Sequence, residues 1–295
     1  MFDAIIIGGS YAGLSAALQL ARARQKILVI DNAMPRNRFA AHSHGFITQD
    51  GRPPGEISHD ARLQLMKYPT VRWLDAHAEQ ASKTAVGFSI QAAGQVFDTR
   101  RIVLAMGVSD ELPEIAGLKE RWGRSVFHCP YCHGYELERG NIGVLGVSAL
   151  SMHHALMLPD WGRTTFFLNG AFEPDEGQLA QLDRRGVAIE RSRVERISGE
   201  RADIHLADGR IIPLDGLFTA TATRPASPLA EQLGCAMEEG PMGPFIRTNE
   251  MKETSVPGVI ACGDVARAVG SVTLAVGDGA MAGVSTHRSL MFADA

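Results

Sequence analysis

One supersecondary plan occurs twice along the chain, and that repetition constrains the fold more than any other feature. Residues 3–9, DAIIIGG, form a short unbroken apolar run closing on glycines, the pattern of a strand buried within a parallel sheet. SYAGLSAALQLARAR follows. Leu14, Ala17, Leu18 and Ala21 fall at i, i+3, i+4 and i+7, which predicts a helix with one apolar face. KILVID supplies a second strand ending at Asp31. AVGFSIQAAGQVFDTRRIVLAMG then reads as a hairpin turning at Ala93–Gly94, followed by a third apolar strand over Ile102–Ala105. From residue 141 the order returns. NIGVLGVSALSMHHALML is strand, turn and helix; RTTFFLNG is a strand; ADIHLADGRIIPL is a hairpin turning at Asp208–Gly209; DGLFTATA is the closing strand. With 295 residues there is room for both copies. The fold class is α/β, with two dinucleotide-binding, Rossmann-like domains of three-layer ββα build. The last stretch, VPGVIACGDVARAVGSVTLAVGDGAMAGVSTHRSL, has no counterpart in the second copy. It is expected to return to the first domain, so that the second is inserted into it. Pro and Gly cluster at 110–118 and 238–244. The expected boundaries are therefore residues 1–114 with 243–295 for the first domain and 117–240 for the insert.

In the first copy the turn is Gly8-Gly9-Ser10-Tyr11-Ala12-Gly13. Gly8 and Gly13 fit a G-x-G-x-x-G fingerprint, and Ser10 stands at the middle glycine position. The helix N-terminus offers backbone N–H groups to a pyrophosphate, and Asp31 is placed to accept from a ribose hydroxyl. NAD and FAD both carry that ribose, so the turn alone does not separate them. In GVIACGDVA, Asp264 follows a strand and Gly263; its carboxylate can reach a ribitol hydroxyl, while the next helix can direct its N-terminus at a flavin ring. Simple helix capping is the alternative role for Asp264.

The second copy departs from this pattern. Its turn, Gly146-Val147-Ser148-Ala149-Leu150-Ser151, keeps only the first glycine of the fingerprint. Its second strand ends at Asn169, followed by Glu173, Asp175 and Glu176, with no Lys or Arg before Arg184. A 2′-phosphate needs charge-assisted hydrogen bonds worth roughly 1.5–3 kcal/mol each. Acids at that point would repel it. NADPH is not expected to bind, whereas Asn169 could still bond the 2′-hydroxyl of NADH.

Four cysteines are present, and two of them lie in FHCPYCHGYE: Cys129 and Cys132, flanked by His128 and His133. In a reducing compartment a close pair is catalytic or metal-binding rather than structural. Zinc needs about four converging ligands. One CxxC supplies two, the adjacent histidines would struggle to reach the same ion, and no metal site is expected. Cys235 and Cys262 are expected to be buried and inert. The formal net charge of −4, with scattered Lys and Arg, gives no nucleic-acid footprint. The N-terminus, MFDAIIIGGS, has no basic segment ahead of its apolar run, and no apolar run approaches the roughly 20 residues of a membrane span. A cytoplasmic protein without membrane or nucleic-acid partners is expected. AAHSHGFITQDG holds His42 and His44 in a loop after the second strand, able to contact either flavin or substrate.

Taken together, the N-terminal turn, the LAMG element ending at Gly107, the CxxC early in the insert and the terminal CGD resemble the low-molecular-weight thioredoxin reductase family of flavoproteins over nearly the whole chain. The resemblance implies FAD held by the first domain through Gly8, Ser10, Tyr11, Ala12, Gly13, Asp31, Gly107, Gly263 and Asp264, and a homodimer. It implies that Cys129–Cys132 is a redox-active disulfide, with Cys132 facing the isoalloxazine and Cys129 the outer thiol that meets substrate. That family usually has aspartate directly after the second cysteine. Here it is His133, an imidazole suited to taking and returning a thiol proton at neutral pH, with His128 as a second candidate. GGSYAGLSAAL, HGFITQDG and CPYCHGYE look most like the thioredoxin-reductase-like dithiol oxidases of the gliotoxin and holomycin type. Those pass electrons from a dithiol through CxxC and FAD to oxygen without NADPH. The expected activity is thus FAD-dependent dithiol–disulfide oxidoreduction, with a small-molecule dithiol or disulfide, or a thioredoxin-like protein, as partner. The alternatives are a thioredoxin reductase fed by NAD(P)H or ferredoxin and, in another class, a flavin-binding redox sensor.

Overall fold

The computed structural model of the chain describes residues 1–292, which divide into two compact units. The first comprises Met1–Arg38, Pro54–Ser109 and the chain from Thr223 onward; the second comprises Phe39–Pro53 and Asp110–Ala222.

The first unit opens with β1 (Phe2–Ile7), α1 (Tyr11–Arg22) and β2 (Ile27–Asp31), then α2 (Pro54–Leu65), β3 (Val71–Asp75), β4 (Ala78–Thr84), β5 (Gly87–Ala92) and β6 (Gln95–Leu104). Strands β3, β2, β1 and β6 are parallel neighbours, with Ile5 beside Leu28 on one side and Ile102 on the other. Alternation along β1 sorts its side chains between two cores. Ala4 and Ile6 pack with the small residues of α1, whereas Ile5 and Ile7 pack with Phe88 and Ile90 of β5. The predicted hairpin turns where expected, with Ala93 and Gly94 both left-handed. Its second arm and the third apolar strand are not separate elements. β6 runs unbroken, antiparallel to β5 through its first half and parallel to β1 through its second. Sequence alone does not show this, because Thr99–Arg101 carry polar side chains while their backbone stays in the ladder. α2 and β3 lie in a stretch to which the sequence reading assigned no element.

The second unit contains β7 (Val108–Glu111, which begins in the first unit), β8 (Val126–Phe127), α3 (Pro130–His133), β9 (Arg139–Leu145), α4 (Ser151–Met157), β10 (Gly162–Phe167), α5 (Glu176–Arg184), β11 (Ala188–Glu190), β12 (Val194–Ser198), β13 (Ala202–Leu206), β14 (Ile211–Leu214) and β15 (Gly216–Thr219). Its parallel sheet has the order β11-β10-β9-β15-β8, and β12-β13-β14 form an antiparallel meander. Phe127, Ile142, Val144, Phe166 and Phe218 fill the core beside α4 and α5, and Leu145, Phe167 and Leu217 fill the one beside the meander. Here the closing strand is distinct from the hairpin, because Asp215 breaks the run: its carboxylate accepts from the Asn141 N–H at 2.7 Å.

The chain leaves through β16 (Ala222–Pro225), which pairs with β7, and completes the first unit with α6 (Leu229–Leu233), β17 (Met237–Gly240), β18 (Gly243–Ile246), β19 (Val259–Ala261) and α7 (Val272–Met291). β19 pairs parallel with β6, the return expected for the terminal segment. α7 lies against α1 because Gly279 and Gly283 face Ala12 and Ala16 closely enough that a Cβ on either would collide with the α1 backbone. The division differs from the expected boundaries at three places, the first being that the chain crosses into the second unit at Ser109–Asp110 rather than between 114 and 117. Return to the first unit comes at Thr223 rather than at 243, since α6 joins the core around β5. The loop of residues 39–53 belongs to the second unit. Pro and Gly mark turns, and the turns at 238–244 belong to the β17–β18 hairpin rather than to a linker.

Candidate active site

The first unit assembles a phosphate-type cradle at the C-terminal ends of its parallel strands. Gly8 has φ +101°, and a Cβ there would run into the Ala105 carbonyl; a Cβ on Gly13 would strike the Gly8 carbonyl. Ser10 precedes α1 in extended conformation without capping it, and the first turn carries no acid, so its N–H groups meet no side-chain acceptor from the cap. An anion fits there. Asp31 does more than expected: its Oδ1 accepts from the Gly9 N–H at 2.9 Å and so fixes the turn it faces. Gly263 abuts the Ala12 side chain, and Gly107, also left-handed, accepts from the Ala226 N–H at 3.1 Å. Asp264 starts a single 3-10 turn and pairs with Arg36 at 3.1 Å instead of capping a helix. Tyr11 receives a hydrogen bond from Asn37 Nδ2 at 3.1 Å. Gly8, Ser10, Tyr11, Ala12, Gly13, Asp31, Gly107, Gly263 and Asp264 thus all lie in this unit. Sequence reading missed Arg36 and Asn37, because the segment after β2 has no periodicity to flag it.

The second unit presents the cysteine pair. β8 leads into Cys129, which occupies the N-cap of α3, with Pro130 at the first helical position where no N–H is needed. One turn of helix, with the Cys132 N–H donating to the Cys129 carbonyl at 3.2 Å, brings the two Cα atoms to 5.3 Å, and the sulfurs form a disulfide. Both cysteines are partly exposed, and the flanking Tyr131 and Tyr135 are 73% and 84% exposed. His133 stacks on Phe127 with ring centroids 4.3 Å apart. Burial, reinforced by His44, pushes its pKa down to about 4. The expectation of an ordinary imidazole at position 133 therefore does not hold: next to the closed disulfide it is neutral at neutral pH. His128 lies beside Trp122, with ring centroids 5.9 Å apart.

The loop of residues 39–53 places His44 in this unit. It closes on itself through Ser43 and Arg52, and Asp50 Oδ1 accepts from the Gly45 N–H at 2.8 Å. His42 Nδ1 is 3.0 Å from the Gly51 carbonyl. His44 Nε2 lies 3.4 Å from Glu136 Oε1, and its Nδ1 3.7 Å from Asp50 Oδ1. Sequence did not decide between flavin and substrate for this loop; the structure groups His44 with the CxxC segment.

The second copy of the turn is closed by its own serines. Val147 N–H donates to Ser151 Oγ at 3.1 Å and Leu150 N–H to Ser148 Oγ at 3.3 Å, with Ser151 fully buried. Asn169 Oδ1 is taken by the Val194 N–H at 3.0 Å. The charge argument, by contrast, weakens. The turn between β11 and β12 brings Arg191 to Glu173 and lays the Arg193 guanidinium over Gly170, although neither arginine is near in sequence. Among the described residues, no group of three or more His, Cys, Asp or Glu could hold a metal ion, and no helix is long and apolar enough to cross a membrane.

A dinucleotide cradle and an accessible CxxC disulfide on paired α/β units define a flavoprotein disulfide oxidoreductase. The chain belongs to the pyridine nucleotide-disulphide oxidoreductase family, which matches residues 2–279. It is 33% identical over 305 residues to the thioredoxin reductase tcpT of Claviceps purpurea, covering 98% of this chain and 94% of that one. Among solved structures, an oxidoreductase from Agrobacterium tumefaciens is 58% identical with a TM-score of 0.96, over 99% of both chains. HlmI is 34% identical with a TM-score of 0.91, over 98% of this chain and 92% of that one. The protein is accordingly a thioredoxin reductase-like, flavin-dependent oxidoreductase acting on sulfur groups.

Proposed function

We propose that the protein oxidises a dithiol to a disulfide through Cys129–Cys132 and FAD, without NADPH and with O₂ as the final acceptor. The observation that carries this reading is the pairing of an intact, accessible CxxC disulfide with a pyridine-nucleotide turn whose N–H groups are occupied by Ser148 and Ser151. A bound pyrophosphate would have to displace those serines, and a ribose the Val194 amide from Asn169. FAD would be held by the Gly8–Gly13 turn at the start of α1, with Asp31 on the ribose and Asp264, steadied by Arg36, toward the ribitol. Bound there, the flavin would supply a two-electron acceptor for the reduced cysteine pair and a route for those electrons to oxygen, which would leave as peroxide. The chain's part is thiol exchange. Cys129 receives the substrate sulfur and Cys132 leaves as thiolate. His133, neutral beside the closed disulfide, takes up the proton once that negative charge appears next to it. Tyr131 and Tyr135 offer exposed aromatic faces to a small, largely apolar dithiol rather than a charged one.

Homodimerisation belongs to the same proposal. Leu274, Met281, Val284 and Met291 are exposed on α7 at spacings that share one helix face, a stripe a second copy would cover. Light scattering tests it.

The deciding experiment is anaerobic. The yellow protein is mixed with NADPH, NADH or dithiothreitol and the flavin band is followed. Bleaching by the dithiol alone, with peroxide on adding air, is expected. Rapid bleaching by NADPH refutes the proposal. Bleaching by neither favours a ferredoxin-type donor or a sensor.

A further inference from the structure

Resting on the reading that FAD is the cofactor, we propose that Trp73 is a positioning residue: clamped by Arg62 and Asp75, its indole braces Gly9 against Asp31 and so keeps the diphosphate turn in the form that retains FAD. One glycine of that turn is not explained by the fingerprint. In Gly8-Gly9-Ser10-Tyr11-Ala12-Gly13, Gly9 stands at a variable position. Gly8 is left-handed but Gly9 is not, so backbone conformation does not demand a glycine there. Space does. A Cβ on Gly9 would meet the benzenoid ring of Trp73 and the Cβ of Asp31. The Gly9 N–H donates to Asp31 Oδ1 at 2.9 Å. Gly9 is thus held by a hydrogen bond to Asp31 and by an aromatic edge packed against it.

The ring is itself fixed from outside the turn. β3 runs parallel to β2, with Trp73 beside Val29 and Asp75 beside Asp31. Residues two apart on a strand share a face, and Trp73 Nε1 donates to Asp75 Oδ1 at 2.8 Å. Arg62, in the last turn of α2, reaches the same carboxylate with two donors, Nη1 to Oδ1 at 2.9 Å and Nη2 to Oδ2 at 3.1 Å. It also lays its guanidinium over the indole, 4.2 Å from the ring centroid. Each of the three side chains therefore restrains the other two. A planar guanidinium matches a carboxylate fork and an aromatic face at once, which an ammonium does not. Arg62 and Asp75 are 39% and 65% exposed, so their ion pair adds little to folding by itself. Its effect passes through the indole to Gly9. β3 and β19 lie on opposite sides of β1 in the sheet. Asp31 and the clamp accordingly belong to the adenosine end of the cradle, and Asp264, which follows β19, to the flavin end.

The cofactor released by heat from the parent protein is identified first, by mass. FMN there overturns the FAD reading and this proposal with it. With FAD bound, the holoprotein is diluted and flavin release is followed by fluorescence, at a temperature where the far-ultraviolet circular dichroism is unchanged. Arg62→Met and Asp75→Asn should each speed release roughly five- to tenfold, and Trp73→Leu by more. The visible absorption maxima of the bound flavin should stay where they are in all three, because the clamp acts at the other end of the cofactor. Trp73→Tyr, which restores an aromatic ring, should recover most of the loss. Arg62→Met made in the Trp73→Leu background should change release by less than about twofold, since the guanidinium acts through the indole. Release within about twofold of the parent in both Arg62→Met and Asp75→Asn overturns the proposal and leaves the FAD reading intact. So does an undiminished Arg62→Met effect in the Trp73→Leu background, because Arg62 would then act on the cofactor without Trp73.

Discussion

Asp278 on α7 holds two cations with one oxygen, and replacing it by asparagine should destabilise the first unit measurably. Oδ1 accepts from Lys252 Nζ and from Arg267 Nη1, each at 2.8 Å, while Oδ2 is buried without a partner. The carboxylate side chain is 8% exposed, Lys252 17% and Arg267 28%. Asp278→Asn keeps the shape and one acceptor but leaves both cations without their counter-charge. Removing one partner of a buried pair costs about 3–5 kcal/mol. Partial exposure of Arg267 screens its share, and the retained amide oxygen keeps some hydrogen bonding, so about 2–3 kcal/mol is expected. With a urea slope of roughly 2 kcal/mol per molar, the midpoint should fall by about 1 M. Arg267 lies in the segment joining Asp264 to α7, so flavin release, followed by its fluorescence, should shift with the circular dichroism signal. In a Lys252→Met background the same substitution should cost less, because one stranded cation is already gone. A midpoint within about 0.2 M of the parent would show that solvent, not Asp278, neutralises these cations, and the reasoning would fail.

Three further predictions follow from the same geometry. The unfolded chain binds a proton at His133 near pH 6.5 and the folded oxidised protein near 4, so the unfolded state holds more protons between those values and stability falls as pH drops through that window. The loss is on the order of 3 kcal/mol; His133→Asn should flatten this acid slope in denaturation runs at pH 7 and pH 4.5. Cys262 is fully buried and its thiol is pushed up to about 12, and burial raises Cys235 as well. Iodoacetamide at pH 8 should therefore label neither in the native oxidised protein and only Cys129 and Cys132 after dithiol reduction, as mass spectrometry would show; labelling of Cys262 would contradict its burial. Gly13→Val places a branched side chain against the Gly8 carbonyl and should yield protein purified largely without flavin, its absorbance ratio falling several-fold.

What the sequence determined by itself is whatever local chemistry writes in a continuous run. Apolar runs ending in glycine gave both strand–turn–helix starts, left-handed residues at Ala93–Gly94 and Gly209 gave the hairpins, and CxxC gave the cysteine pair, because each depends on backbone preferences within a few residues. Tertiary structure alone decided where separate segments meet. It moved the loop of residues 39–53 into the second unit and put His44 beside Glu136, drew Arg191 and Arg193 to the end of β10, and joined Arg36 to Asp264. It also changed the chemistry of a residue already identified: His133 was legible as a candidate base, yet its depressed proton affinity comes from burial on Phe127 and a neighbour from a distant segment. Desolvation and charge pairing act through space, and a sequence records only order along the chain.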